Sequence, residues 1–439
     1  YDLDKLDLEL AQFRTKVEGL GSQVKSLSKF SFIPGVGSYL SDVQNLYDFS
    51  LGSLDLSTKL TSIIRPFAPS LGFKVKDSKE SLAGGQERLA GITKVAPVLA
   101  TELPKLKNDF DKLYEKIKNI DPNRYPEKMG DVVIRSRLAF LKESVTQLSA
   151  SLPDVTTFFK ILPQVMGAEP GGKKSYLVIF QNDKELRPSG GFLTAYAVFV
   201  MDKGKLSATS ASDSYFIDID NRLSVYDPAP AIITKYLKLS DNKLFFRDAN
   251  LSPDFKVSME AVEKIWNRSK LVPRIDGIIA LDTHFVESMM GVLGEVSLPG
   301  YPKFTKENVV EQLEIVSNVL GTRLEKRQGR KDIIGALMAN MMQKAFSAGG
   351  KQYLNLVTTI WQEAEQKHLL VSLHENEAQD LAEKLNFAGR VKEYEGDYLY
   401  INDANFAGRK ANWYMKEDVT KDVVVGKDKI TTTLKIDYE

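Results

Sequence analysis

Apolar side chains recur at alternating spacings of three and four along residues 1–160. The first run comprises Leu3, Leu6, Leu10, Phe13, Val17, Leu20, Val24 and Leu27. A second run extends from Leu103 to Ile120, and a third extends from Ile134 to Leu152. This spacing is typical of a coiled-coil seam, and it predicts helices whose seams form a core.

Short breaker sequences separate these runs. Pro34–Gly35 follows the first run, Asp121–Pro122 follows the second, and Pro153 ends the third. A weaker amphipathic helix fits residues 82–99. Because helices joined by short connections usually pack antiparallel, we expect residues 1–165 to form an antiparallel, coiled-coil-like helical bundle or stalk without strands. The alternative is a pair of long coiled coils that dimerise.

The pattern changes beyond the linker at residues 169–172. Tyr176–Phe180 is a continuous apolar run, which is typical of a strand buried on both faces. A second strand is predicted over Phe192–Met201, and Arg274–Asp282 predicts another buried strand followed by a helix over Thr283–Leu293. Strands that alternate with helices predict an α/β domain over residues 173–395.

Alternating apolar and polar positions near the end of the chain predict further strands, including 397–401 and 430–438. We expect residues 396–439 either to complete the sheet or to begin a further β-domain. The predicted fold class is therefore α+β or α/β, with an N-terminal antiparallel helical region followed by an α/β domain that has a mixed central sheet.

Composition narrows the classes of function. Hydrophobic residues make up 43% of the 439 residues, charged residues make up 27%, and the net charge is +1. These values are typical of a globular protein and give no indication of nucleic-acid binding. No cysteine is present, which excludes disulfides, thiolate metal sites and cysteine nucleophiles.

Three histidines, His284, His368 and His374, argue against a multi-histidine metal site, and a Ser-His-Asp triad would need one of them. The chain has no run of 18 apolar residues that would span a membrane. Because it begins at Tyr1 without methionine and still alternates at its last residues, we expect a piece of a longer protein. A membrane anchor would then lie outside it.

The polar loop after the first buried strand is the first candidate site. Its candidate residues are Asn182, Glu185, Arg187, Ser189, Gly190 and Gly191. Arg187 could hold a phosphate or carboxylate through two parallel hydrogen bonds, and the amides of Gly190 and Gly191 could face an anion. The alternative is a hairpin turn in which Arg187 pairs with Glu185 or Asp183.

Two acidic loops supply further candidates, Asp213 in residues 212–221 and Asp248 in residues 246–255. Their oxygen atoms suit Mg²⁺ or Ca²⁺, although neither loop fits the EF-hand pattern. Solvated loops with capping acids are the alternative, and Asp248 would then pair with Arg247 or Arg187 as a structural tie. Asp254 or Ser252 is placed to cap the next helix.

A basic cluster precedes the helix predicted over residues 332–345. It contains Arg323, Lys326, Arg327, Arg330 and Lys331. Cations at a helix N-terminus could bind a polyanion together with Arg187 and Arg247, and the alternative is a solvated basic loop.

Four sequence motifs resemble a bacterial family described as a domain of unknown function, number 4012. They are YLVIFQNDKELRPSGG at 176–191, FRDANLSPDF at 246–255, IDGIIALDTHFVESMMGVLGEV at 275–296 and DYLYINDANFAGRKANWY at 397–414. Members of this family have a membrane anchor, then a helical region, then this domain outside the cell. The resemblance therefore implies an extracellular, surface-anchored location.

A more distant resemblance reaches the LytR-CpsA-Psr family, which attaches anionic glycopolymers to the cell wall from a polyprenyl-pyrophosphate carrier. Residues 275–296 resemble its strand–helix–Gly–Val segment, and residues 327–331 resemble its arginine-rich segment. Arg187 and Ser189 lie where that family has pyrophosphate and metal ligands. However, Ser189–Gly190–Gly191 replaces its Ser-Asp-Thr step, so a metal-binding aspartate is missing, and Asp213 or Asp248 would have to substitute.

Two hypotheses of function follow. The first is a non-catalytic surface or envelope-assembly protein that binds an anionic ligand, such as an envelope glycopolymer or a lipid pyrophosphate, with the helical region as a stalk or protein-binding bundle. The alternative is a LytR-CpsA-Psr-like phosphotransferase, for which Asp213 and Asp248 would be catalytic and Mg²⁺ the cofactor. Its phosphate ligands would be Arg187, Arg247, Arg323, Arg327 and Arg330.

Overall fold

The computed structural model describes residues 2–74, 84–169, 172–209, 211–219, 226–237, 242–269, 272–321, 332–406 and 410–439. Contacts within the chain divide it into two compact units. The helical unit comprises residues 1–174 and 201–206, and the α/β unit comprises residues 175–200 and 207–439. Among the described residues, no helix is both long and apolar enough to cross a membrane.

Six helices and one short hairpin are described in the helical unit. They are α1 (Leu3–Glu18), α2 (Gly21–Ser28), α3 (Gly37–Ile64), α4 (Gly85–Glu102), α5 (Lys107–Ile117), β1 (Lys128–Met129), β2 (Val132–Val133) and α6 (Arg135–Val165). The prediction that this region has no strands was therefore wrong. Gly130, with a φ of +61°, allows the tight turn that pairs β1 with β2.

The second and third apolar runs form the core of the helical unit, as predicted. Ile117 and Leu113 of α5 are buried, and they pack with Phe49 of α3 and Val145 of α6. A neighbouring cluster joins α4 to α6 through residues that include Val95, Leu99 and Leu152.

The first apolar run does not form a continuous core helix. α1 ends at Glu18 and α2 begins at Gly21, since Gly19 and Gly21 are poor helix formers. Leu6, Phe13, Leu20 and Leu27 of this run are between 38% and 56% exposed.

Helix α6 continues past the expected break at Pro153 and contains both Pro153 and Pro163. Each proline removes one backbone hydrogen bond. Leu152 and Ile161 are buried on either side of Pro153, and their packing offsets that loss. The prediction that the third helix ends at Pro153 was therefore wrong.

The α/β unit is built on a mixed sheet, which confirms the predicted fold class. Its elements are β3 (Lys174–Asn182), β4 (Phe192–Asp202), β5 (Lys205–Ala208), β6 (Ser212–Asp213), α7 (Tyr215–Ile219), α8 (Ala231–Leu237), α9 (Phe255–Trp266), β7 (Gly277–Leu281), α10 (Thr283–Leu293), α11 (Val309–Gly321), α12 (Asp332–Ser347), α13 (Gly350–Glu365), β8 (Leu369–Leu373), α14 (Asn376–Lys384), β9 (Glu417–Val425) and β10 (Ile430–Tyr438). The strand order is β5–β4–β3–β7–β8, with β6 beside β4.

The centre of this sheet determines where polar side chains gather. Leu177, Val178 and Ile179 of β3 are completely buried, so this strand is covered on both faces as predicted. β3 and β7 are parallel, whereas β7 and β8 are antiparallel. The carboxyl ends of β3 and β7 and the start of β8 therefore lie at one edge of the sheet, which is where open α/β sheets bind ligands.

The last part of the chain forms a separate two-stranded sheet of β9 and β10. Residues 397–401, predicted as a strand, have no regular secondary structure. Tyr398, Leu399 and Tyr400 are each about half exposed, so no face of this segment is buried as a strand in the sheet would be.

Candidate functional site

The loop between β3 and β4 is closed by the side chain and carbonyl of Asn182. Its Oδ1 accepts from the amide of Lys184 at 3.0 Å, and its carbonyl accepts from the amide of Glu185 at 3.1 Å. Its Nδ2 donates to Glu314 Oε1 at 3.0 Å. A short polar side chain at a strand end closes such a turn readily, since it bonds to amides that follow it.

Gly190 and Gly191 are required by space and conformation. A Cβ atom on Gly191 would lie 2.4 Å from the carbonyl oxygen of Asn182, and Gly190 has a φ of +128°. The amide of Gly190 donates to the carbonyl of Arg187 at 2.9 Å. This glycine amide is therefore engaged within the loop rather than directed at an anion.

Arg187 is enclosed by the protein. Its guanidinium donates to Asp248 Oδ1 at 3.2 Å and to Glu185 Oε1 at 3.5 Å, and its Nη1 also donates to the carbonyl of Asn405. The group lies 4.5 Å from the ring centre of Phe406 and 5.2 Å from that of Phe192. Only 3% of the side chain is exposed, so Arg187 binds protein carboxylates and has no open face for a phosphate.

Arg247 lies on the other side of Asp248 from Arg187. Its Nε lies 3.5 Å from Asp248 Oδ2, and its Nη1 donates to Asp218 Oδ2 at 2.8 Å. The guanidinium also stacks over the rings of Tyr215 and Phe245, at 4.5 and 4.2 Å from their centres. Arginines and carboxylates therefore alternate in the order Glu185, Arg187, Asp248, Arg247 and Asp218. We call these five side chains the charge chain.

Asp218, the last member of the charge chain, is buried in the α/β unit. It accepts the amide of Phe246 at 2.7 Å, which fixes the start of the 246–248 turn. Burial is the largest influence on its carboxyl group and outweighs the attraction of Arg247, so it raises the pKa of Asp218 to about 6. The charged form of Asp218 is therefore costly despite its partners.

A neutral network ties the two glycines to the next loop. Asn250 is completely buried, and its Nδ2 donates to Ser189 Oγ at 3.0 Å and to the carbonyl of Gly191 at 2.9 Å. Gln181 Nε2 donates to the same hydroxyl at 3.1 Å. These bonds fix the Gly–Gly turn against the 246–250 loop through groups that are hidden from solvent.

A large open cleft, which we call the tyrosine cleft, lies beside the loop. Its volume is about 1170 Å³, and segments 186–190, 389–394 and 397–403 contribute to its walls. Tyr394, Tyr398 and Tyr400 line it and are 69%, 53% and 49% exposed. Their rings are therefore available to a ligand, in contrast to the guanidinium of Arg187.

Comparison with known families gives a match, which covers the first part of this unit. Residues 171–316 match the family model described as "Protein of unknown function (DUF4012)". This segment belongs to the DUF4012 family. Neither the curated proteins nor the solved structures contain a match to the chain. The DUF4012 segment includes β3, the Gly–Gly loop, the 246–250 loop, β7 and α10, whereas the fourth motif at 397–414 lies beyond it.

The structure brings together many of the predicted residues of the DUF4012 segment. Glu185, Arg187, Arg247 and Asp248 belong to the charge chain, and the pairing of Arg187 with Glu185 and Asp248 corresponds to the structural alternative of the sequence analysis. Asp213 lies on β6, where its Oδ1 accepts the amide of Tyr215 at 3.0 Å. Arg323, Arg327 and Arg330 lie outside the described residues.

Sequence reasoning missed a second polar cluster at the carboxyl end of β7. It contains Asp282, His284, Glu363 and His368. The signal in the sequence was Asp282–Thr283–His284 directly after a buried strand, a position where α/β sheets place functional side chains. The partners Glu363 and His368 lie about 80 residues further along the chain, and only the pairing of β8 with β7 brings them there.

Proposed function

We propose that this chain acts at the bacterial cell surface as a non-catalytic envelope protein, and that its tyrosine cleft binds a glycan chain of the envelope. The exposed tyrosines of the cleft are the observation that carries the proposal. The location rests on the resemblance in layout to a family in which a membrane anchor and a helical region precede this domain. A protein partner for the helical region stays a prediction.

The chemistry of the cleft suits a sugar polymer. A tyrosine ring offers a flat apolar face and a hydroxyl group that can bond to solvent or ligand. A sugar ring has the complementary mixture of apolar C–H groups and hydroxyls. Tyr394, Tyr398 and Tyr400 come from one irregular segment, so successive sugars of an extended chain could contact successive rings.

Two lysines give the cleft a cationic part. Lys367 and Lys392 both line it, and burial together with the nearby charge of Lys392 lowers the pKa of Lys367. Lys367 Nζ donates to the carbonyl oxygens of Asn386 at 2.5 Å and Glu365 at 3.4 Å, which are neutral partners. An acidic group on an anionic glycopolymer would offset the repulsion between the two lysines. We place that group beside the lysines, since the carboxylates of Glu393, Asp397, Asp403 and Glu417 line the rest of the cleft.

The alternative, a LytR-CpsA-Psr-like phosphotransferase, needs cations that can hold a pyrophosphate. Arg187 and Arg247 are engaged by Glu185, Asp248 and Asp218. Releasing either arginine would take a cation away from a buried carboxylate, Glu185 or Asp218, which is strongly unfavourable. The geometry of the described residues therefore supports the binding function better than phosphoryl transfer.

Binding to cell-wall sacculi tests the proposal. Purified protein would be co-sedimented with bacterial sacculi that retain their anionic glycopolymer and with sacculi stripped of it by acid. We expect the double variant Tyr398→Ala/Tyr400→Ala to lose at least tenfold in affinity for the intact sacculi. Tyr236→Ala is the matched control, since Tyr236 is 69% exposed on α8 and does not line the cleft.

The lysines are tested in the same assay. Lys367→Gln/Lys392→Gln should weaken binding to intact sacculi and leave binding to stripped sacculi nearly unchanged.

Equal binding by wild type and by the tyrosine variant would contradict the proposed cleft. Release of polyprenyl pyrophosphate or phosphate from a lipid-linked glycan by the wild-type protein would overturn the non-catalytic function.

A further inference from the structure

Two of the three histidines meet at the edge of the central sheet. His284 lies in the first turn of α10, directly after β7, and His368 immediately precedes β8. Their rings are stacked, with centres 3.9 Å apart and planes inclined by 25°. Because β7 and β8 are neighbours in the sheet, the fold itself holds these imidazoles together.

Glu363 completes a three-residue cluster. It lies in the last turn of α13, it is only 4% exposed, and its Oε2 is 3.0 Å from His284 Nδ1. One ligand atom from each of His284, Glu363 and His368 lies within 4.8 Å of the other two. Ligand atoms around a tetrahedral zinc ion are about 3.4 Å apart, given bonds of about 2.0–2.1 Å. Small side-chain adjustments would therefore bring the three ligand atoms to the separation that one ion requires.

Asp282 orients one of the imidazoles. Its Oδ2 lies 2.6 Å from His368 Nδ1, while its Oδ1 accepts the amide of Phe285 and caps α10. A proton held on Nδ1 by this carboxylate leaves the lone pair of His368 on Nε2. Metal-binding histidines usually donate their second ring N–H to a carboxylate, a backbone carbonyl or water, and such a bond fixes the ring and increases its basicity.

The surrounding charge favours a cation. Asp183 and Glu287 are close enough to influence the charged groups of the cluster, and Glu287 is one turn after His284 on α10. Lys184 pairs with Asp183 at 2.8 Å. With Asp282 and Glu363, four carboxylates therefore lie around two imidazoles that are neutral when they act as ligands.

We propose that His284, Glu363 and His368 bind one divalent transition-metal ion of the zinc class, with Asp282 as the positioning residue for His368. Two imidazoles and a carboxylate suit Zn²⁺ or Co²⁺ better than Mg²⁺ or Ca²⁺, which prefer oxygen ligands alone. Three protein ligands leave a fourth position of a tetrahedral ion for water or a ligand. This site is independent of the tyrosine cleft and does not rest on the proposed glycan binding.

His374 shows what an ordinary ion pair looks like in the same unit. Its Nε2 lies 2.8 Å from Glu263 Oε2, and the two side chains are 43% and 24% exposed. It is absent from the cluster that offers three ligand atoms. His374 is therefore the matched control for a histidine–glutamate pair that should not hold an ion tightly.

Metal binding would be measured on the whole chain, purified without a histidine tag and treated with chelator. Titration calorimetry with ZnCl₂ and equilibrium dialysis should give one ion per chain. We expect His284→Ala and His368→Ala to weaken the affinity at least 100-fold, and His374→Ala to leave it unchanged. Asp282→Asn retains the helix cap and should weaken binding about 10- to 100-fold, the range that lost outer carboxylates produce.

Cobalt supplies a second readout that does not depend on any variant. Co²⁺ added to the wild-type protein should give the intense visible absorption of a tetrahedral ion, and Zn²⁺ should displace it. Far-ultraviolet circular dichroism of each variant checks that the fold is intact. Absence of one-to-one Zn²⁺ binding, or a loss in His374→Ala as large as that in His284→Ala, would overturn the proposal.

Discussion

Two arginines of this chain, one in each unit, bind two carboxylates each in very different surroundings. Arg65 of the helical unit pairs with Asp4 and Asp7, and all three side chains are between 33% and 41% exposed. Arg187 of the α/β unit pairs with Glu185 and Asp248, and its own exposure is 3%. Water can replace the partners of Arg65, whereas it cannot reach Arg187.

Because their partners are of the same kind, we expect the two arginines to differ in their contribution to stability through burial alone. Exposed pairs contribute about 0.2–1 kcal/mol, whereas removal of one partner from a buried pair costs about 3–5 kcal/mol. We propose that the buried arginines of the DUF4012 segment hold the domain together and do not bind a phosphate.

Replacing each of the two arginines should produce the largest difference in stability. We expect Arg187→Met to lower the free energy of unfolding of the α/β unit by about 3–5 kcal/mol, since Glu185 loses this buried cation and Asp248 keeps only Arg247. Arg65→Met, the matched control, should cost about 1 kcal/mol or less. Similar losses in both variants would contradict the distinction.

The three tryptophans allow unfolding of the α/β unit to be measured separately from that of the helical unit. Trp266, Trp361 and Trp413 all belong to the α/β unit, and residues 1–174 contain none. Trp266 is buried against Phe246 and Tyr196 in the core. Tryptophan fluorescence during urea unfolding therefore follows the α/β unit, and circular dichroism reports the helices of both units.

Asp248→Asn should have the next largest effect. The variant keeps the shape of the side chain but loses the charge that lies between Arg187 and Arg247, so we expect a loss of about 2–3 kcal/mol and a fall in melting temperature of several degrees. Differential scanning calorimetry checks this result. If Asp248 is a metal ligand instead, the variant should melt at the same temperature as wild type without Mg²⁺. Addition of Mg²⁺ should then stabilise wild type and not the variant.

Asp218 should make the stability of the α/β unit depend on pH. Burial raises its pKa to about 6, above the ~3.9 of an unfolded chain. The folded state therefore binds the proton more tightly, and the stability that the protonated carboxyl contributes is present below about pH 4 and is lost as pH rises through about 6.

The variant Asp218→Asn replaces the titratable carboxyl group with a neutral amide. Relative to wild type, we expect the variant to gain about 2 kcal/mol in free energy of unfolding between about pH 4 and about pH 7. Urea unfolding at several pH values, followed by tryptophan fluorescence, measures the difference. A difference between the two proteins that does not change with pH would show that the pKa of Asp218 is the same in the folded and unfolded chain.

Salt should have the smallest effect on stability, and that effect should differ between the two arginines. Raising NaCl from about 0.1 M to about 1 M shortens the screening length from about 10 Å to about 3 Å. We expect the small cost of Arg65→Met to vanish at high salt and the cost of Arg187→Met to persist, since its partners are buried. Equal sensitivity of the two costs to salt would indicate that solvent reaches Arg187.

The fold was predictable from the sequence where apolar spacing is regular. The buried strand at Tyr176–Phe180 and the helix Thr283–Leu293 were predicted correctly, and so was the capping of α9 by Asp254, which accepts the amide of Val257. The first apolar run misled because its leucines have helical spacing whether or not another helix covers them. Spacing shows which face is apolar and does not show what packs against it.

The candidate site was predictable only in part, for a physical reason. Neighbouring candidates such as Glu185 and Arg187 could be grouped from the sequence because they share one loop. The choice between a phosphate ligand and a structural tie depended on burial, and burial is set by distant residues such as Asn405 and Phe406. The histidine cluster escaped prediction because its members come from distant segments of the chain.

A thermal titration with pyrophosphate tests whether the buried arginines bind a phosphate. Melting of the wild-type α/β unit would be followed by tryptophan fluorescence in Mg²⁺ with increasing pyrophosphate, against NaCl of matched ionic strength. A ligand at 100 times its Kd would stabilise the folded state by about 2.7 kcal/mol, so binding would be visible as a shift of several degrees. We expect no saturable shift in melting temperature beyond that produced by NaCl. A saturable rise that Arg187→Lys abolishes and Lys367→Gln/Lys392→Gln retains would contradict it.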